Sequence, residues 1–265
     1  MPAVQGRLEA LTRKWWFYLL ILVLFFVPSY STLPFDPRLT SDLIKAVLSN
    51  PLITAYPAVF PLFKLLPIVL VLALVVWGDR LTRLFDLYAA ITLLLMAVFQ
   101  NMAATQEFGF AVLVGNVVVY SLVALAWFWE AMVKANRLDL RGQPAWRYWV
   151  APAAFLAFWF PVNLDTMVPD FSLAQLFTNS AGLAICMMLP VYMAVAILGY
   201  PHINRPVLRL TSFAGTVTAG LNMLQWFILA WYPWIGLLHL PLLAISVYCL
   251  VLSLKKAPQS VVLPM

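Results

Sequence analysis

A chain of 265 residues that is 64% hydrophobic and only 10% charged carries more apolar surface than a fold in water can hide, since soluble domains are about half apolar and about a quarter charged. Its net charge of +6 would suit nucleic acid, but the bases fall in short clusters between apolar runs. Such clusters orient membrane proteins, so the lipid bilayer, and no nucleic acid, is the expected partner.

A hydrocarbon core about 30 Å thick takes about 20 apolar residues of helix. Eight runs approach that length, at 15–33, 51–77, 84–103, 108–130, 147–164, 171–199, 208–231 and 234–254. None shows the polar–apolar alternation of a closed β-barrel, the other architecture that satisfies its backbone in lipid. The expected fold is all-α: one polytopic membrane helix bundle over 1–265, with about eight transmembrane helices.

Arg7, Arg13 and Lys14 precede the first run, and "PSYSTLP" follows it. That pattern also resembles a secretory signal peptide, but no A-x-A-like site is present, so the run reads as a span. The second run opens after Asn50 in "VLSNPLI" and contains Lys64 in "YPAVFPLFKLLPIV". An intramembrane lysine is either functional or snorkels to the interface. Buried, it would need an acid or a carbonyl, and Glu107 and Asp165 are the nearest acids to expect.

In the third run Asp86 stands three residues after Arg83, the spacing of a helical ion pair. Gln100 closes this run. The fourth holds Asn116 in "LVGNVVV" and ends on Glu130 in "WFWEAM", expected at the interface. The fifth ends at Asn163 and Asp165, and Asp170 is placed to cap the sixth. Asn179 follows in "LFTNSAG". Small residues in "TSFAGTVTAG" give the seventh run a close-packing face. Gln225 lies late in the seventh and His239 early in the eighth.

If the spans alternate, thirteen Lys and Arg residues, through to Lys256, fall on one side and only Arg38 and Lys45 on the other. Both termini are then cytoplasmic, and Asp36, Asp42, Glu107, Asp165 and Asp170 are external. Aromatic belts agree, with Trp77, Trp129 and Trp149 among the inner residues and Trp231, Tyr232 and Trp234 on the outer side.

Residues 100–120 match 163–183 at an offset of 63, pairing Gln100 with Asn163 and Asn116 with Asn179. Extending the frame brings in Asn50, Gln225 and His239, and suggests four tandem hairpins at about 13–80, 83–137, 147–203 and 209–256. An asparagine in lipid must satisfy four hydrogen-bonding positions, so Asn50, Asn116 and Asn179 are expected to point inward at similar depth. They act there as helix–helix glue or as a ring lining an external cavity.

Two lone histidines, and two cysteines that sit in apolar runs as small hydrophobes, make no metal, haem or disulfide set, so no cofactor is assigned. No nucleotide or hydrolase motif is present either. The leading expectation is a transporter or permease-like protein for a small polar or cationic ligand, with Asn50, Lys64, Gln100, Asn116, Asn163, Asp165, Asn179, Gln225 and His239 as candidate binding residues. The alternative is a structural or accessory subunit covered by partner membrane subunits. An intramembrane enzyme is disfavoured by the lack of clustered acids and histidines.

Overall fold

Each apolar run carries one main helix, and the residues around it set where that helix stops. The computed structural model describes residues 2–163, 166–230 and 232–255, so Asp165, Trp231 and Lys256 lie outside the described residues. A short helix α1 (Pro2–Leu11) leads into α2 (Trp15–Phe25), strand β1 (Tyr30–Ser31), α3 (Thr40–Ser49), α4 (Phe60–Trp77) and α5 (Thr82–Phe99). Strands β2 (Met102–Thr105) and β3 (Gly109–Val112) join α5 to α6 (Val114–Val133). Then come α7 (Val150–Trp159), β4 (Val162–Asn163), β5 (Val168–Pro169), α8 (Gln175–Thr178), α9 (Ile185–Gly199), α10 (Arg205–Leu224) and α11 (Pro233–Leu254).

The chain is mostly helical. Among the described residues three helical stretches are long and apolar enough to cross a membrane: Pro57–Phe99, Val114–Val133 and Pro233–Leu254. A fourth is reached if Gln175–Leu183 and Ile185–Gly199, bent by 89° at their junction, form one broken span. Two of the remaining runs are shortened by their own punctuation. Helix α2 stops at Phe25, just before Pro28. Helix α7 stops at Trp159 because Phe160 turns left-handed at φ 49° and Pro161 follows it.

Where helices end, the backbone finds partners in strands that the apolar pattern does not announce. Strand β3 pairs antiparallel with β2 and with β1, setting Tyr30 opposite Val112 and Met102 opposite Val112. Ala103, Phe108, Ala111 and Leu113 bury their side chains against Leu43 and Val47 of α3. This small cap defines one end of the molecule, called here the sheet end. Nearby, Gly115 brings α6 against the last carbonyls of α2, where a Cβ would stand 2.5 Å from Leu24 O. That is the close approach expected of a small residue beside Asn116.

Helix α9 is the centre. Thirteen of its fifteen residues are buried, as expected for a helix apolar all round. Tyr192 on α9 packs edge-on against Phe85 of α5 at 6.1 Å and beside Trp127 of α6 at 6.2 Å. Its hydroxyl pairs with Thr92 at 2.6 Å, and Trp127 Nε1 donates to Thr211 of α10 at 3.0 Å. Aromatic burial with the polar tip satisfied locks these four helices together.

Polar groups gather at the opposite, far end, and one of them corrects an expectation. Asp86 makes no ion pair with Arg83, which is exposed; it is fully buried and accepts from Asn136 Nδ2 at 2.9 Å. The reason is its place on the buried stripe Thr82–Asp86–Ala90–Leu93 of α5. Glu130 is likewise fully buried, on the Val123–Trp127–Glu130 face of α6, three residues before that helix ends.

Candidate functional site at two interrupted helices

Helix α7 has ten residues, or about 15 Å of length, half of a hydrocarbon core. Its last carbonyls have no helical partner, and the end carries partial negative charge. Lys64 supplies the donor. Its Nζ donates to Phe158 O at 2.5 Å and to Trp159 O at 3.4 Å, and lies 4.4 Å from the centre of the Phe158 ring. Lys64 is fully buried. Snorkelling is ruled out by its position on the inward stripe Phe60–Lys64–Pro67–Leu70–Leu74. Of the two partners expected, an acid or a carbonyl, carbonyls take the ammonium; Glu107 is exposed in the β2–β3 turn, and Asp165 lies outside the described residues.

Asn179 completes the cap from the other side. Its Nδ2 reaches Trp159 O at 3.1 Å, Phe160 O at 3.2 Å and Gln175 Oε1 at 3.2 Å, while its Oδ1 accepts from Ala181 N at 3.0 Å. That last bond starts the 3₁₀ turn Ser180–Leu183. The chain then extends through Ala184, and α9 begins at Ile185, whose N–H donates to Gln100 Oε1 at 2.8 Å. Lys64, Asn179 and Gln100 therefore close the ends of two helices, α7 and α9, that stop inside the fold.

The turn is also held by backbone contact. Pro67 has no N–H to offer Phe63 O, four residues before it. Gly182 stands against that carbonyl, and a Cβ on it would meet Phe63 C at 2.7 Å and Lys64 N at 3.1 Å. Both are main-chain atoms, so no rotamer change relieves the clash. Gly182→Ala is expected to cost about 2 kcal/mol, within the range for overpacking, read as a lower melting temperature in detergent. An unchanged melting temperature would refute this contact.

A cleft of about 240 Å³ opens beside the break, lined by Thr54, Asn163, Gln175, Thr178, Asn179 and Ser180 with Phe60 and Val162. Asp170 sits behind it, accepting from Gln175 Nε2 at 2.6 Å and from Ser172 N at 2.9 Å. These bonds hold its carboxyl below the usual carboxylate range, Gln175 contributing most. Its cap therefore serves Ser172 and Gln175 at the approach to α8.

The other candidates divide. His239 is buried beside this site, its ring 6.2 Å from those of Phe160 and Trp226, with Nδ1 donating to Ile235 O at 2.8 Å. Asn163 lines the cleft, and its Oδ1 accepts from Thr166 N. Asn116 lies apart, with Nδ2 bonded to Asn101 Oδ1 at 2.9 Å, and Asn101 in turn donates to Met96 O and Ala97 O. Asn50 is exposed at the C-terminus of α3, because the helix of the second run begins only at Phe60. Gln225 opens the π-helical turn Gln225–Leu229. The three asparagines thus do not form a ring at one depth.

Residues missed from sequence are Gln175, Thr178 and Gly182. The available signal was local: Gln175 stands four residues before Asn179, and Pro161 with Gly182 punctuates an otherwise apolar stretch.

The fold and site define a mostly helical bundle, with helices long and apolar enough to cross a membrane, that buries a lysine where two interrupted helices meet. The chain matches no family model, no curated protein and no solved structure.

Proposed function

We propose that this chain is an integral membrane transporter or permease-like protein that takes a small polar or cationic molecule into the cleft beside Asn179. The observation that carries the reading is the meeting of two helix breaks at a buried lysine. Non-helical backbone at membrane depth is tolerated where it is enclosed by protein or lines a cavity. Interrupted helices of this kind build substrate and ion sites in secondary transporters. The lining is amide and hydroxyl, with Asp170 behind Gln175, which suits a neutral or cationic solute.

The topology proposed with it has eight crossings, built on α2, α4, α5, α6, α7, α8–α9, α10 and α11, with α2 and α7 helical over only part of theirs. Pro57–Phe99 would be about 65 Å long as one rod, twice the hydrocarbon core. Gly78, at φ 56°, ends α4, and α5 then leads back to the sheet end. The Lys and Arg distribution supports cytoplasmic termini and an outward-opening cleft, in a plasma or bacterial inner membrane.

The test is a thermal-shift screen of small polar and cationic solutes on purified protein, repeated on Gln175→Leu and Thr178→Val. A stabilising solute whose effect weakens at least about tenfold in both variants, with basal melting retained, is expected. Solutes that act equally on wild type and variants would refute the cleft as the binding site. Stoichiometric partner chains in native mass spectrometry, with no responding solute, would replace transport by the accessory-subunit reading.

A further inference from the structure

Asp86 and Glu130 are both fully buried at the far end, away from the cleft, and nothing proposed so far uses them. One residue bridges them. Asn136 donates from Nδ2 to Asp86 Oδ1 at 2.9 Å and from its backbone N–H to Glu130 Oε1 at 2.5 Å. Asn204 Nδ2 donates to Glu130 Oε2 at 2.5 Å, and Asn204 N donates to Asn136 Oδ1 at 2.6 Å. A backbone N–H can only donate, so that last bond fixes which way the Asn136 amide faces. Gln5 of α1 closes the network, donating to Asn204 Oδ1 at 2.9 Å and accepting from Trp129 Nε1 at 2.8 Å.

The two carboxyl groups differ in one respect. Both oxygens of Glu130 hold a donor, the pattern of an ionised, acceptor-only carboxylate. Asp86 Oδ2 is buried and has no hydrogen-bond partner among the described residues. No base is ion-paired with either group among those residues. The charged groups that act on Asp86 carry its own sign: Glu130 on α6, and Asp79 in the preceding turn, bonded to Thr82. Arg83, Lys134, Arg137 and His202, on the neighbouring segments, are exposed.

Two buried negative charges with no counter-charge would cost several kcal/mol each. A metal ion would need about six oxygen ligands, and the other carboxylate and amide oxygens here are engaged. One unpartnered oxygen has room for one proton. We propose that Asp86 Oδ2 is a proton-binding site, with Glu130 its ionised neighbour, and that the proton carried there is the coupling ion of transport. The second clause rests on the transport reading above, and the first does not. On release, the O–H bond of Oδ2 breaks, its electron pair stays on the carboxylate, and the proton passes to a water molecule.

Infrared spectroscopy of the full chain in detergent at neutral pH tests the site, since exposed carboxyls are ionised there. The expected result is one protonated-carboxyl C=O band that shifts in D₂O, disappears in Asp86→Asn and survives in Glu130→Gln. Labelling the aspartate carboxyls of the wild type with ¹³C requires no variant and should move the band, whereas labelling glutamate should not. A band absent from wild type, or one that follows the glutamate label, overturns the site. Coupling is read separately, as proton flux into dye-loaded proteoliposomes driven by a solute that passed the cleft screen and lost in Asp86→Asn. An aspartate-dependent band without such flux keeps the proton site and removes its coupling role, and a missing band removes both.

Discussion

Replacing Asn179 by leucine is expected to destabilise the protein by about 3 kcal/mol. Asn179 sits at 7% exposure, donates to Trp159 O, Phe160 O and Gln175 Oε1, and accepts from Ala181 N. Leucine has the same branched outline, is somewhat bulkier, and can make none of these bonds. Each buried polar group left unpaired costs about 1–3 kcal/mol, and Trp159 O retains only the long contact from Lys64 at 3.4 Å. The comparison arm is Lys64→Met, where two effects oppose. Phe158 O loses its 2.5 Å donor, but an ammonium with no acidic partner is also removed, and that desolvation cost is of similar size. Lys64→Met should therefore shift stability by less than about 1 kcal/mol while weakening the solute response. Chemical or thermal unfolding in detergent checks both. A Lys64→Met variant that melts as early as Asn179→Leu would make the lysine a structural cap only.

The contrast between these residues bears on what one sequence can reveal. The helical class was legible because lipid imposes long apolar runs, and every such run holds a main helix. Lys64 and Asn179 stood out for the same reason, as expensive side chains inside those runs. Their partners did not, because they lie far away in the chain: Lys64 bonds a carbonyl 94 residues on, and Asp86 an amide 50 residues on. Short-range logic then fills the gap wrongly for Asp86, pairing it with Arg83, and for Lys64 it leaves an acid or a carbonyl open, of which the fold supplies carbonyls. Apolar strands are equally hidden. Residues 102–112 carry the hydrophobicity of a span end, and their strand character comes from pairing with Tyr30–Ser31 and from burial under α3. Asn50 misled because "VLSNPLI" is apolar on both sides, although α3 is a surface helix whose exposed end it forms.

Arg209 was legible only as one base among those that orient the chain, yet its replacement by methionine should be among the most damaging single changes. Its side chain is 1% exposed. Nε and Nη2 both donate to Ser253 O, at 3.2 and 3.1 Å, in the last turn of α11. Nη1 reaches Thr12 Oγ1 at 3.1 Å, and Nη2 pairs with Glu9 Oε1 at 3.0 Å. One guanidinium thus ties α1 and the turn after it to α10 and α11. Arg209→Met leaves Ser253 O without these donors and Glu9 without its buried base, for a loss of about 3 kcal/mol, the low end for breaking a buried pair. The low end applies because Glu9 is 29% exposed and water can reach it. For the same reason Glu9→Gln should cost no more than about 1 kcal/mol and should respond to salt. Arg209→Lys should recover only part of the loss, since a single ammonium cannot serve Ser253, Thr12 and Glu9 together. Unfolding of the four proteins in one detergent measures all of this. Equal losses for Glu9→Gln and Arg209→Met would locate the stabilisation in the ion pair and not in the capped end of α11.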